Sequence, residues 1–237
     1  MKRGKRKRDA KRRLRMKNRN TIRKKMGKKI FFTLTHCHKK LGGVSNRYNY
    51  KTNMHALCFK DAHFYNVKYQ ASIITDCNFR CSELIGVDLY NCNLRGTSFK
   101  NAKLENVVFY NCNLRNADFT GTYFLNVTFI CTQIDNAKNL NTNEAGIIVL
   151  KTYPKLEIDD NLEKILLECA NKPSIFDAKV IHVSRRKLNR WNLSIVQSRC
   201  GDEGLKSLGK ILQRKEKWER LYTVYSYILL IENWGSQ

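Results

Sequence analysis

From Met54 to Ile134 every fifth residue is large and apolar or aromatic. The series runs Met54, Phe59, Phe64, Tyr69, Ile74, Phe79, Leu84, Leu89, Leu94, Phe99, Leu104, Phe109, Leu114, Phe119, Phe124, Phe129 and Ile134, seventeen positions without exception. Two residues ahead of each stands a smaller one, such as Ala62, Val67, Ser72, Cys77 or Thr97, and only Leu57 is bulky in that set. A five-residue period suits neither a continuous helix nor a continuous strand. It suits a chain that turns a corner every five residues, with one large and one small side chain inside and polar residues outside. Four pentads close a coil, and a twenty-residue period is present in its own right. Tyr90-Asn91-Cys92-Asn93-Leu94-Arg95 recurs unchanged as Tyr110-Asn111-Cys112-Asn113-Leu114-Arg115, and Val67, Val87, Val107 and Val127 keep the same spacing. Coils stacked about 4.8 Å apart place Phe59, Phe79, Phe99 and Phe119 in one internal ladder, and Tyr69, Leu89, Phe109 and Phe129 in another.

Ala102-Lys103-Leu104-Glu105-Asn106 and Ala117-Asp118-Phe119-Thr120-Gly121 resemble the A(D/N)LXX units of the pentapeptide-repeat family over about residues 52–138. The resemblance implies a right-handed quadrilateral β-helix. A filled tube has no room for a substrate, so the expectation is a non-enzymatic scaffold whose outer faces bind a protein partner, with no cofactor. Some members of the family protect DNA gyrase and topoisomerase IV from quinolones by imitating duplex DNA, which is an alternative function here. Imitation needs a strongly acidic rod, whereas residues 52–138 hold seven acids and eight bases. A near-neutral rod is a poor electrostatic copy of DNA.

The charge lies elsewhere. Of 45 Lys and Arg in the 237-residue chain, 21 fall in residues 1–51, against one acid there, Asp9. Lys2, Arg3, Lys5, Arg6, Lys7, Arg8, Lys11, Arg12, Arg13, Arg15, Arg23, Lys24 and Lys25 make residues 1–29 a basic arm, expected to be disordered in isolation and to attach to the phosphates of RNA or DNA. An anionic membrane surface would satisfy the same charge.

Residues 30–51 read as a transition or cap over the first coil. His36, Cys37 and His38, with His55, Cys58 and His63, raise a metal site, but no paired ligand spacing accompanies them. Cys77, Cys92 and Cys112 fall at the small interior position and read as packing. No catalytic constellation stands out. Nine cysteines, no secretory signal and no apolar run long enough to span a bilayer point to a reduced, cytoplasmic protein.

After residue 138 the repeat lapses into a linker, 139–157, followed by an α-helical domain, 158–237. Leu162, Ile165, Leu166 and Cys169 follow Asp159 and Asp160 at helical spacing, with Pro173 as a stop. Two further helices flank Gly201, and residues 216–232 carry an aromatic stripe. This domain caps the last coil or pairs with a second chain through its last helix. A helix pair opening at Arg185-Arg186-Lys187 gives the second alternative, a DNA-binding regulator.

Overall fold

The computed structural model describes residues 33–37, 39–214 and 218–235, together with residues 10, 11, 14, 15, 18 and 21. The chain is mainly β: a parallel-strand solenoid followed by a helical region. Its strands are β1 (Thr33–Thr35), β2 (Ser45–Tyr50), β3 (Asn53–His55), β4 (His63–Gln70), β5 (Ile73–Thr75), β6 (Glu83–Tyr90), β7 (Lys103–Glu105), β8 (Val108–Tyr110), β9 (Tyr123–Leu125), β10 (Val127–Ile130) and β11 (Ile147–Leu150). Each is parallel to the strand one coil away at an offset of twenty residues, as in Phe64 to Leu84, Leu104 to Phe124 and Phe129 to Val149. Four stacks of such pairs make four faces. The first carries Asn53, Ile73, Asn93, Asn113 and Gln133; the second, Cys58, Asn78, Ser98, Asp118 and Lys138. The third carries His63, Glu83, Lys103 and Tyr123; the fourth, Lys68, Asp88, Val108, Thr128 and Ile148.

The corners explain the pentad. Two residues after each large apolar residue from Met54 to Phe129 the backbone enters the left-handed region, as at Asp61 (φ 56°), Asn66 (φ 51°), Asp76 (φ 54°), Gly96 (φ 70°) and Asn101 (φ 53°). Gly, Asn and Asp tolerate this conformation best, which is why they recur there. At several corners the amide three residues on closes a turn, for example Ala62 to the Phe59 carbonyl at 3.1 Å. A positive φ at the third turn residue is the type II pattern.

Inside, Met54 through Phe129 of the large series are buried, and Leu104, Phe109, Leu114 and Phe129 are fully so. Each such side chain stabilises the fold by about 1.5–3 kcal/mol. Ring centroids stack at 4.9 Å for Phe59 and Phe79, 5.4 Å for Phe79 and Phe99, 5.1 Å for Phe99 and Phe119, and 4.9 Å for Phe109 and Phe129. The small positions also hold the coils together. Thr97, Thr122 and Thr132 donate their hydroxyls to carbonyls of the coil before, at 2.6, 2.8 and 2.9 Å, and the Cys112 thiol reaches the Leu89 carbonyl at 3.1 Å.

The ladder is longer than the repeat in the sequence. β1 and β2 lie in the segment expected to be a transition, and β11 lies where a linker was expected, twenty residues beyond β10. Parallel pairing tolerates loss of the pentad in between because it needs only backbone groups in register.

The helical region contains α1 (Asp160–Glu168), a 3-10 turn (Cys169–Asn171), α2 (Pro173–Phe176), the hairpin β12 (His182–Ser184) and β13 (Lys187–Leu188), α3 (Arg190–Gln213) and α4 (Val224–Gly235). Asp159 caps α1 by accepting from the Leu162 amide at 3.2 Å. Pro173 opens α2 instead of only ending α1, the position where its missing N–H costs nothing. α3 kinks at Gly201 (φ 71°, ψ 179°). Arg185, Arg186 and Lys187 sit at the β12–β13 hairpin, not at a helix start, and the last helix begins at Val224, after the aromatic stripe has begun at Trp218.

Candidate binding surfaces

The helical region does not stand over the end of the tube. It lies along the fourth face, where Tyr90, Val108 and Ile130 belong to one hydrophobic cluster with Leu193, Val224, Tyr227 and Ile228. Two charged residues are enclosed there. Lys68 and Asp88, paired in register on β4 and β6, are both fully buried. The Lys68 ammonium donates to the Lys179 carbonyl at 3.2 Å and lies 4.0 Å from the centre of the Tyr90 ring. Asp88 accepts from the Val224 amide at 3.1 Å, so its charge faces the N-terminus of α4, where the helix dipole favours it. Burial pushes the lysine down and the carboxyl up, and each is partly restored by the other's charge.

Polar contacts extend the seam. The Tyr90 hydroxyl donates to Asn192, which in turn donates to the Val180 carbonyl at 2.7 Å. Asn66 donates to the Arg220 carbonyl at 2.7 Å and accepts from Thr223 at 2.9 Å, and Arg199 donates to Asn106 at 3.1 Å. A Cβ added at Gly86 would lie 2.5 Å from Tyr225. The gap that remains between Val108, Thr128 and Ile148 on one side and Ile195, Arg199 and Tyr225 on the other holds about 30 Å³. That is room for a single water. The stripe that was to pair with a second chain is turned inward instead: Tyr227, Ile228 and Ile231 of α4 are buried against the chain's own core.

Pentad logic places Lys68 and Asp88 outside, as members of the solvated charge of the rod, and the structure corrects this. The signal that marks the covered face was available in the outward residues themselves. Tyr90, Tyr110, Ile130 and Leu150, spaced by twenty, form an outward apolar column that a solvated face does not need.

Of the arm residues, Lys11 and Arg15 are described, both helical and exposed; Lys2, Arg3, Lys5, Arg6, Lys7, Arg8, Arg12, Arg13, Arg23, Lys24 and Lys25 lie outside the described residues. Ile30, Phe31 and Phe32, candidates for a plug, also lie outside them. Among the described residues no group of three or more His, Cys, Asp or Glu could hold a metal ion; His36 and His55 meet edge to face at 4.8 Å, and His38 is not described. All nine cysteines are free. Burial pushes the Cys77 thiol up to about 11 and the Cys112 thiol well above its ordinary value, which leaves both unreactive. No helix among the described residues is long and apolar enough to cross a membrane.

A tube of twenty-residue coils with a filled interior and flat polar faces is a β-solenoid of the scaffold type. Residues 62–138 match the pentapeptide repeat region family. Solved structures match the chain at low identity. A pentapeptide repeat protein from Nostoc Pcc 7120 is 22% identical, over 44% of this chain and 84% of its own, with a TM-score of 0.30. One from the Arabidopsis thaliana thylakoid lumen is 19% identical, over 54% and 73%, at 0.26. QnrB1, a plasmid-mediated fluoroquinolone resistance protein, is 12% identical, over 59% and 96%, at 0.23. No curated protein matches the chain.

Proposed function

We propose that this chain is a non-enzymatic scaffold of the cytoplasm, attached to nucleic acid by its basic arm and presenting the uncovered solenoid faces to a protein partner. The observation that carries the reading is the segregation of charge, with 21 of 45 basic residues ahead of the repeat and a rod that is close to neutral. Each phosphate neutralised by the arm releases counterions, so binding is steeply salt-dependent and indifferent to sequence. Nine free cysteines support a reducing compartment. Topoisomerase protection of the kind associated with quinolone resistance is less well supported, because the acids of the rod are few and six of the seven are paired or buried. A regulator reading DNA through Arg185 is disfavoured by that side chain's bond to the Ala170 carbonyl at 3.0 Å.

The test is fluorescence anisotropy of the full chain on labelled RNA and DNA between about 50 and about 300 mM salt, beside a variant with the thirteen arm residues replaced by glutamine. The variant should lose most of its affinity and most of its salt slope. Unchanged binding would refute the arm.

A further inference from the structure

The rod is near neutral in sum, but its charges are not evenly disposed. Asp61 bonds Lys40 at 2.8 Å, Asp118 bonds Lys100 at 3.1 Å and Glu105 bonds Lys103 at 2.9 Å. Glu83 lies 2.9 Å from His63 and Asp76 lies 3.4 Å from His55, while Asp88 is buried with Lys68. Among the described residues, five bases of the rod keep no carboxylate partner: Lys60, Arg80, Arg95, Arg115 and Lys138. All five are exposed, Arg95 and Arg115 on the first face and Lys60, Arg80 and Lys138 on the second. Asp135, in the last coil, is the one exposed acid of the rod with no basic partner among the described residues.

Three of these bases belong to one repeated device. Asn78-Phe79-Arg80, Asn93-Leu94-Arg95 and Asn113-Leu114-Arg115 each place the apolar residue inside, and in each the asparagine oxygen accepts from the arginine's own amide, at 3.1, 3.2 and 3.0 Å. With the oxygen committed, the carboxamides of Asn93 and Asn113 keep their NH₂ as a donor beside the guanidinium, while that of Asn78 leans on the Cys58 thiol at 3.9 Å. The units of Arg95 and Arg115 stack one coil apart on the first face, about 4.8 Å from each other, and that of Arg80 stands on the adjoining second face, so the rigid coils fix all three donors in place. Guanidinium groups suit phosphate oxygens in a planar fork, and carboxamides commonly contact the backbone too.

We infer that the first and second faces, through the Asn-x-Arg units ending in Arg80, Arg95 and Arg115, form a second nucleic-acid contact that grips the phosphate backbone of a duplex. Among the described residues no Phe, Tyr or Trp lies at an outward position of these faces, so they lack the stacking platforms that hold single strands. The contact is independent of the arm, and it leaves the third face for the protein partner proposed above.

The full-length chain carrying Arg80→Gln, Arg95→Gln and Arg115→Gln is compared with one carrying Lys164→Gln, Arg186→Gln and Lys187→Gln, which removes equal charge from the helical region. Both are titrated with a DNA duplex, an RNA duplex, a single strand and phosphatidylserine vesicles, in the natural and the arm-neutralised background, with thermal melting as the control of fold. The face variant should lose about three units of slope in log affinity against log salt on duplexes, and on the order of a hundredfold in affinity near 0.1 M salt, in both backgrounds. The helical-region variant should lose less than one. Equal losses, no duplex binding by the arm-neutralised chain, or a loss seen only on vesicles or only on single strands would overturn the proposal. Failure of the arm reading looks different: neutralising the arm would change nothing, while the face substitutions would still act.

Discussion

Each residue in a pentad answers to a separate physical demand, and the demands can be tested one at a time. The small interior position must fit between rings and satisfy a carbonyl of the neighbouring coil, so threonine and cysteine serve alike. Native alkylation followed by mass spectrometry should therefore label the exposed Cys81 and Cys131 and spare the buried Cys77, Cys92 and Cys112. Outward residues hold the turns. Burial alone would raise the Asp118 carboxyl, but bonds from the Thr120 hydroxyl and amide and the Lys100 ammonium outweigh it and hold the group down to about 2. A depressed acid stabilises the folded state above its unfolded value of 3.8, and that contribution is lost as pH falls through the folded value. Asp118→Asn should cost about 1–2 kcal/mol at pH 7 in urea unfolding, with the gap closing as pH approaches 2.

At the scale of the element, strands only three residues long are stable because they are stacked, not because of their own propensity. Removing a ring or branched side chain at mid-rod opens a cavity that both neighbouring coils share. Leu104→Ala, at a fully buried site, should cost about 2–5 kcal/mol, while Ile134→Ala, half-exposed in the last coil, should cost under half of that in the same denaturation assay. The pentad made the coil and its stacking readable, since one large and one small residue every five positions admit few other packings. β11 was hidden, because Ile147 to Leu150 pair through backbone groups after the pentad has gone. The start of α4 was misplaced for a related reason: Trp218, Leu221 and Tyr222 fit a helical stripe but pack from an irregular segment that turns at Arg220 (φ 62°). Charge arithmetic gave the rod's total and missed its distribution, which depends on which acids reach which bases across coils. Asn78, Asn93 and Asn113 show what was legible in hindsight, each standing two residues before an arginine.

For the whole molecule, the fourth face serves two cores, its inward Tyr69, Leu89, Phe109 and Phe129 filling the tube and its outward Tyr90, Val108 and Ile130 packing with the helical region. All three tryptophans, Trp191, Trp218 and Trp234, lie in the helical region, so their emission reports on it, while pulsed alkylation of the buried Cys77, Cys92 and Cys112 reports on the coils. The two signals should report one unfolding transition in the natural chain. Tyr90→Ala removes a ring from the seam and a hydroxyl from Asn192, and it should separate the two, with the tryptophan signal melting first; coincident curves would contradict a seam centred on Tyr90. The twenty-residue register also governs how such a chain can change in length. Duplicating a stretch such as 91–110 adds one storey without disturbing the fit of any layer on the next. The helices, however, clasp fixed points at Asn66, Lys68, Asp88, Tyr90 and Asn106, so an added storey between those points would pull the clasp apart. Growth is therefore tolerated only beyond the clasp, and the molecule carries its own ruler for the part that must not lengthen.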